Sequence, residues 1–416
     1  MTSLIDTLIP DFDPTVAARD IMRLSLLDWL ACGIAGKGEP VAELTRAMVR
    51  VEGGAEQASL FGGGRAPMRA AALVNGATSH ALDYDDTHFA HIGHPSVAVL
   101  PAAMAVAEHQ GRDFKDLIEA ALYGCEASVR MGLLLGRSHY QVGFHQTATA
   151  GAFGATVAAA RLMGLDEDQT RHALALVSTR ASGLKSQFGT MGKPYNAGIA
   201  ASNGVEAALL ASKGFMSNPD ALEGANGFLT THHADPGSLP QDWLMAQVSH
   251  KFHACCHGLH ATLEALESLK PLDVSGITAI KITTHSRWMT VCNLPEPSTG
   301  LEAKFSYRMV TALSLMGHAT AALATYEDSL CSDPQVIGLR DKVSVVADDM
   351  LSETEAMVQI EGATPLMAHH DLSTPLSTDE RAGKLRHKAQ VLLGDDRAWE
   401  SVQSGHLGAL MAVMTF

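Results

Sequence analysis

The run from His80 to Pro95, HALDYDDTHFAHIGHP, gathers His80, His88, His91 and His94 with Asp83, Asp85 and Asp86. Side chains of these types move protons or bind metal ions. Beside an alanine-rich apolar segment they are costly unless paired or used. As metal ligands, His88, His91 and His94 fall three apart with aspartates nearby, a donor set that zinc or iron accepts. Against that reading, Gly93 and Pro95 break helical spacing and no HExxH-type element accompanies the run, so proton chemistry is preferred. As plain structure, the acids could cap the next helix, with Ser96 a good N-cap. Capping explains one residue of the set.

Three further clusters could carry chemistry. In Lys251–His260, KFHACCHGLH, the adjacent Cys255 and Cys256 fit a tetrahedral zinc site poorly. They read as small core residues, which leaves Lys251 and His260 open. In Gly189–Pro194, GTMGKP, Pro194 follows Lys193 where a phosphate-binding loop would have Ser or Thr. A helix opening at Tyr195 with Pro194 at its first position would set Lys193 beside free N–H groups, a natural carboxylate site. A solvated surface lysine is the competing reading. In Gly143-Phe144-His145 the histidine stands at the mouth of a helix, where a structural role is the commoner one. The Gly62–Gly64 run lacks a preceding strand and is given no nucleotide role.

The elements that must position these groups are mostly helices. Val16–Ala35 carries Ile21, Leu24, Leu27 and Leu30 and ends at Gly36, a C-cap signal. Helices are also expected over Val97–His109 and Asp113–Leu135. After Gly143, Ala148, Gly151, Ala152, Ala155 and Ala159 form a ridge of small residues that admits a close neighbour. From about Leu269 the period changes: Ile277–Thr284, Lys342–Ala347 and Ala356–Glu361 read as strands, with a helix over Ser306–Ala324 between them. After Ser377 the chain turns helical again. The expected fold is mainly α: a large helical domain over 1–268 and 378–416, interrupted by a smaller α+β lid domain over 269–377.

A chain of 416 residues exceeds one hydrophobic core. Its formal net charge of -15 argues against nucleic acid or an anionic membrane as partner, so an anionic substrate would need a local cationic pocket. Six cysteines make no disulfide framework at this length, no apolar run reaches a membrane span, and the N-terminus carries acids where a targeting peptide has Arg or Lys. A cytoplasmic enzyme is the expectation.

Taken in order, the segments HALDYDDTH, HPSVAVLPAAMAVAE, GFHQTATAGAFGA, MGKPYNAGIAASNGVEAALLASKGF, KFHACCHGLHA, EAKFSYRMVTA and STPLSTDERAGKLRHKA resemble the MmgE/PrpD family. The family includes 2-methylcitrate dehydratase, cis-aconitate decarboxylase and iminodisuccinate epimerase. The resemblance spans nearly the whole chain. It implies a helical domain with an α+β lid, a site in the cleft between them, a homodimer, and no cofactor or metal. It also implies a lyase acting on a small di- or tricarboxylate, with an isomerase or epimerase as the alternative and a non-catalytic carboxylate- or metal-binding protein as a third reading. By motif, Asp83, His94, His145 and Tyr307 take catalytic positions, while Thr87, Lys193 and Lys251 bind substrate. One residue more than the decarboxylase pattern separates Thr87 from His94, which makes His91 a rival. Ala254 and His257 stand where many members have proline and arginine, removing a bidentate carboxylate clamp.

Overall fold

The computed structural model describes residues 7–416. Its contacts divide the chain into two units, Met1–His250 with Thr378–Phe416, and Lys251–Ser377.

The first unit is built from α1 (Val16–Ala35), α2 (Pro40–Glu52), a two-stranded ribbon of β1 (Ala58–Ser59) and β2 (Arg65–Ala66), α3 (Met68–Ser79), α4 (Ser96–Gln110), α5 (Phe114–Gln141), α6 (Gln146–Met163), α7 (Glu167–Val177), α8 (Gly192–Ala211) and the short α9 (Phe228–Thr231). The Thr15 hydroxyl caps α1 by accepting from the Ala18 N–H at 3.1 Å, and the helix ends at Gly36 as its sequence signals. The small-residue ridge is fully buried in α6, which packs against α4, α5 and α8. A Cβ on Gly151 would meet Ala98 at 2.6 Å, and one on Gly76 of α3 would meet the Gly198 backbone of α8 at 2.8 Å. Such approaches need residues without bulk, and they set the C-terminal end of α3 near the N-terminal end of α8.

The second unit contains α10 (His260–Glu267), β3 (Ile277–Thr284), α11 (Gly300–Ala303), α12 (Tyr307–Leu315), α13 (Asp328–Cys331), α14 (Pro334–Arg340), β4 (Val343–Ala347), β5 (Glu355–Gly362) and β6 (Leu366–Asp371). The sheet order is β4-β3-β5-β6, with β3 parallel to β4 and the other pairs antiparallel. Ile280 and Ile282 of β3 and Val358 and Ile360 of β5 bury its apolar face. The chain then returns to the first unit through α15 (Thr378–Leu393), α16 (Arg397–Ser404) and α17 (Leu407–Thr415).

Three differences from the sequence reading have physical causes. The second unit starts at Lys251 instead of 269, because α10 packs on β5, β6 and α12. The helix expected over Ser306–Ala324 stops at Leu315, two residues before Gly317 turns the backbone to φ 84°. Between Ala211 and His260, inside the span read as a helical domain, the chain forms only α9 and short 3₁₀ turns. Among the described residues no helix is long and apolar enough to cross a membrane.

Candidate active site

The His80–Pro95 run is the connection between α3 and α4, and its polar groups are sorted by depth. His80 caps the C-terminus of α3, its N–H donating to the Gly76 carbonyl. Its Nδ1 lies 2.8 Å from Asp85 Oδ1. The other oxygen of Asp85 lies 2.9 Å from His94 Nδ1. Both pairs are at most a tenth exposed. Burial alone would raise Asp85, but the imidazoles of His80 and His94 outweigh it and hold this carboxyl well below the usual range. An anionic oxygen at that distance requires a proton on the facing nitrogen, so Asp85 fixes the tautomer of both rings.

Asp83 sits at the rim. Its backbone is left-handed, φ 50°, a conformation that Asp tolerates better than most residues. That turn presents the carboxylate to two partners: His94 Nε2 at 3.4 Å and Lys193 Nζ at 2.6 Å. Helix α8 begins at Gly192, earlier than the sequence reading placed it, so Lys193 lies inside its first turn. The lysine is no solvated surface group: only 16% of its side chain is exposed.

His145 precedes α6 and is 2% exposed. Its N–H donates to the Gly183 carbonyl, and its ring stacks toward His80 at 6.1 Å. Burial, with the positive potential of His80, Lys193 and His94, keeps this imidazole well below its ordinary value and hence neutral. The Asn196 amide nitrogen, which donates to the Leu184 carbonyl at 3.4 Å, lies 3.2 Å from His145 Nδ1. Nδ1 is then the acceptor and Nε2 carries the proton.

His91 and His94 differ in what they face: His94 meets Asp83 and Asp85, whereas His91 meets Ser128. His91 is buried with Nε2 on the Ser128 hydroxyl at 3.1 Å, and burial pushes it down to about 3. Gly132 of α5 has no side chain because His91 fills that space. His88 reaches the Leu244 carbonyl at 2.9 Å and is pushed down to about 4, again by burial. Both are structural histidines. Asp86 takes the capping role in part: its carboxylate accepts the Ser96 hydroxyl at 2.5 Å and the Ser96 N–H at 3.3 Å. Ser96 is thus the first residue of α4, not its cap. Thr87 pairs by backbone with Ser249, its N–H donating at 2.8 Å.

Sequence reasoning left out two residues that organise this loop. Asn196 sets the proton on His145, and Lys388 anchors the Asp83–Asp85 turn from α15. The buried Lys388 ammonium pairs with Asp28 at 2.5 Å and donates to the Tyr84 carbonyl at 2.6 Å. No spacing signal links positions 84 and 388.

Lys251 and Tyr307 belong to the second unit. Lys251 is its first residue and 3% exposed. Tyr307 is fully buried at the start of α12; its hydroxyl donates to the Gly258 carbonyl at 2.7 Å and lies 3.1 Å from Thr284 Oγ1. Burial, joined by the nearby cysteines, pushes this phenol up. Nearby, burial also raises Cys255 to about 12 and holds His260 well below its ordinary value.

His80, Asp83, Asp85 and His94 each offer a ligand atom within 4.8 Å of the others, so a divalent ion could fit there. Lys193 already supplies positive charge to Asp83, and the two imidazoles do so for Asp85. Together these groups make a cationic lysine, a carboxylate-backed imidazole and a neutral imidazole on the ends of packed helices. That is the equipment of an acid–base site for an anionic substrate.

The comparisons agree with this class. The MmgE/PrpD N-terminal domain matches residues 7–238 and the MmgE/PrpD C-terminal domain residues 253–404. The chain belongs to the MmgE/PrpD family. It is 30% identical to a cis-aconitate decarboxylase-like protein of Aspergillus oryzae over 63% of this chain, spanning 60% of that protein. It is 27% identical to human cis-aconitate decarboxylase over 91% of this chain and 84% of the relative. It is 26% identical to the mitochondrial 2-methylcitrate dehydratase of Yarrowia lipolytica over 81% and 70%.

Proposed function

We propose that the protein is a cofactor-independent lyase acting on a small di- or tricarboxylate of the 2-methylcitrate or cis-aconitate kind, by histidine-mediated proton transfer. The observation that carries the proposal is the relay from Asp85 through His94 to the Asp83–Lys193 pair, with neutral His145 close by. The names of the relatives supply the substrate class.

In this reading Lys193 holds a substrate carboxylate. His94 takes the proton from the carbon beside a carboxylate, and Asp85 stabilises the imidazolium that results, the logic of a nucleophile–base–orienter set turned to proton abstraction. His145 donates through Nε2–H to the leaving hydroxyl, as a neutral imidazole held in one tautomer. Where the substrate has no hydroxyl to lose, the same Nε2–H protonates carbon as a carboxylate departs as carbon dioxide. Tyr307 is given no proton step, because its hydroxyl is committed to Gly258; it positions Cys292 and Gly258. The homodimer implied by the family likeness belongs to the same proposal, and light scattering after gel filtration should read twice 44.0 kDa.

The test is turnover of 2-methylcitrate and cis-aconitate in deuterated water, followed by NMR. Water or carbon dioxide released in step with product supports a lyase. Deuterium exchange without either loss would replace it with an epimerase.

A further inference from the structure

We propose that Cys256 and Cys292 form a thiol–disulfide couple, a modification site that a hydroperoxide oxidises and a small thiol restores. The two stand 36 positions apart, and no spacing signal in the sequence links them. In the fold the Cys292 thiol donates to Cys256 Sγ at 3.2 Å. That is inside the ~3.5–4.0 Å at which non-bonded heavy atoms rest. A disulfide bond of about 2.05 Å needs the sulfurs to close by about 1.1 Å from 3.2 Å.

The backbone fixes both sulfurs on one frame. The Cys256 N–H donates to the Lys304 carbonyl at 3.0 Å, the Tyr307 N–H donates to the Cys292 carbonyl at 3.0 Å, and the Cys292 N–H donates to Trp288 at 2.8 Å. An isolated antiparallel bridge joins Asn293 to Ser306 in the same frame. Approach of the thiols is therefore built into the segment, not an accident of mobile side chains. Access is equally selective. Of the six cysteines, Cys256 alone is not buried, while Cys292 is completely buried. A peroxide reaches Cys256, and the resolving thiol waits beneath it.

The chemistry balances with hydrogen peroxide as oxidant. Cys256 sulfur attacks one peroxide oxygen, the O–O bond breaks, and with the thiol proton one water leaves, giving a sulfenic acid. Cys292 sulfur then attacks Cys256 sulfur, the S–O bond breaks, the S–S bond forms, and the Cys292 proton leaves in a second water. Two thiols are oxidised and one peroxide is reduced to two waters.

The experiment treats the reduced full-length protein with equimolar hydrogen peroxide, alkylates the remaining thiols and maps peptides by mass spectrometry without reductant. A peptide cross-linked through Cys256 and Cys292, four alkylated thiols from the original six, and reversal by dithiothreitol are expected. C292S should stop at a sulfenic acid on Cys256, captured by dimedone, and C256S should leave Cys292 unmodified. The wild-type map needs no variant to fold. Six alkylated thiols after peroxide, a Cys255–Cys256 link, or Cys256 carried to sulfinic acid with no cross-link would each overturn the proposal.

Discussion

The groups around Asp85 in the first unit and those around Tyr307 in the second are both clusters of titratable side chains, and Asp85, His94, Cys255, Cys292 and Tyr307 are all buried. They reach opposite ionic states. Around Asp85 two imidazoles face one carboxylate, and attraction outweighs the cost of burial, so the carboxyl stays ionised. Around Tyr307 the neighbours are thiols, the Thr284 hydroxyl and a backbone carbonyl, burial outweighs the opposing hydrogen bonds, and the phenol and Cys255 are both raised. A dense cluster becomes a charged site only where opposite charges meet at contact distance. Otherwise it becomes a neutral, hydrogen-bonded core, suited to holding shape.

Substitutions can break this contrast, and the largest effects belong to the charged loop. His94→Ala removes the imidazole that touches both Asp83 and Asp85, and turnover should fall by roughly 10²–10⁴-fold with the fold retained. A steady-state assay beside a circular dichroism spectrum checks it; near-normal turnover would remove His94 from the mechanism. Lys388→Met leaves Asp28 buried without its ammonium and should cost about 3–5 kcal/mol in chemical denaturation. Tyr307→Phe, in the neutral region, leaves the Gly258 carbonyl without its donor and should cost only about 1–3 kcal/mol. Its turnover should stay close to that of the unaltered protein.

The smallest effect is one of pH, and its sign can be worked out. Unfolded, His88 and His91 gain protons below the ordinary 6.5, whereas the folded chain keeps them neutral down to about 4 and about 3. The unfolded state then binds more protons, so stability falls as pH drops below 6.5. Asp86 acts in the other direction: burial and nearby Asp28 raise it from 3.8 to about 7, and the stability from its retained proton is lost as pH rises from the first value through the second. Two histidines outweigh one carboxyl, so melting temperature should still rise towards pH 6.5, and Asp86→Asn should make that rise steeper. An unchanged slope in Asp86→Asn would refute the Asp86 assignment.

Much of this was legible in local sequence. The ends of α1 follow from its apolar spacing and Gly36, and β3 from its β-branched run. Strand β6, LMAHHD, carries no strand signal and exists because β5 pairs with it. Residue types also marked the Asp83 loop as a site. Which histidine faces Asp83 was illegible, because it depends on Gly132 making room for His91 across 41 positions. Lys388 and the Cys256–Cys292 contact escaped for the same reason: tertiary packing, not spacing, brings them to their partners.

The central claim is proton transfer by His94 and His145 without a metal, although His80, Asp83, Asp85 and His94 could hold one. The most direct measurement is turnover of cis-aconitate and 2-methylcitrate in deuterated water, before and after exhaustive chelation. Unchanged turnover of one substrate is the expected result, with deuterium entering carbon as carbon dioxide is lost from cis-aconitate, or with 2-methylcitrate losing water and the unreacted substrate gaining no deuterium. Activity that disappears with the chelator and returns with a divalent ion would contradict the account.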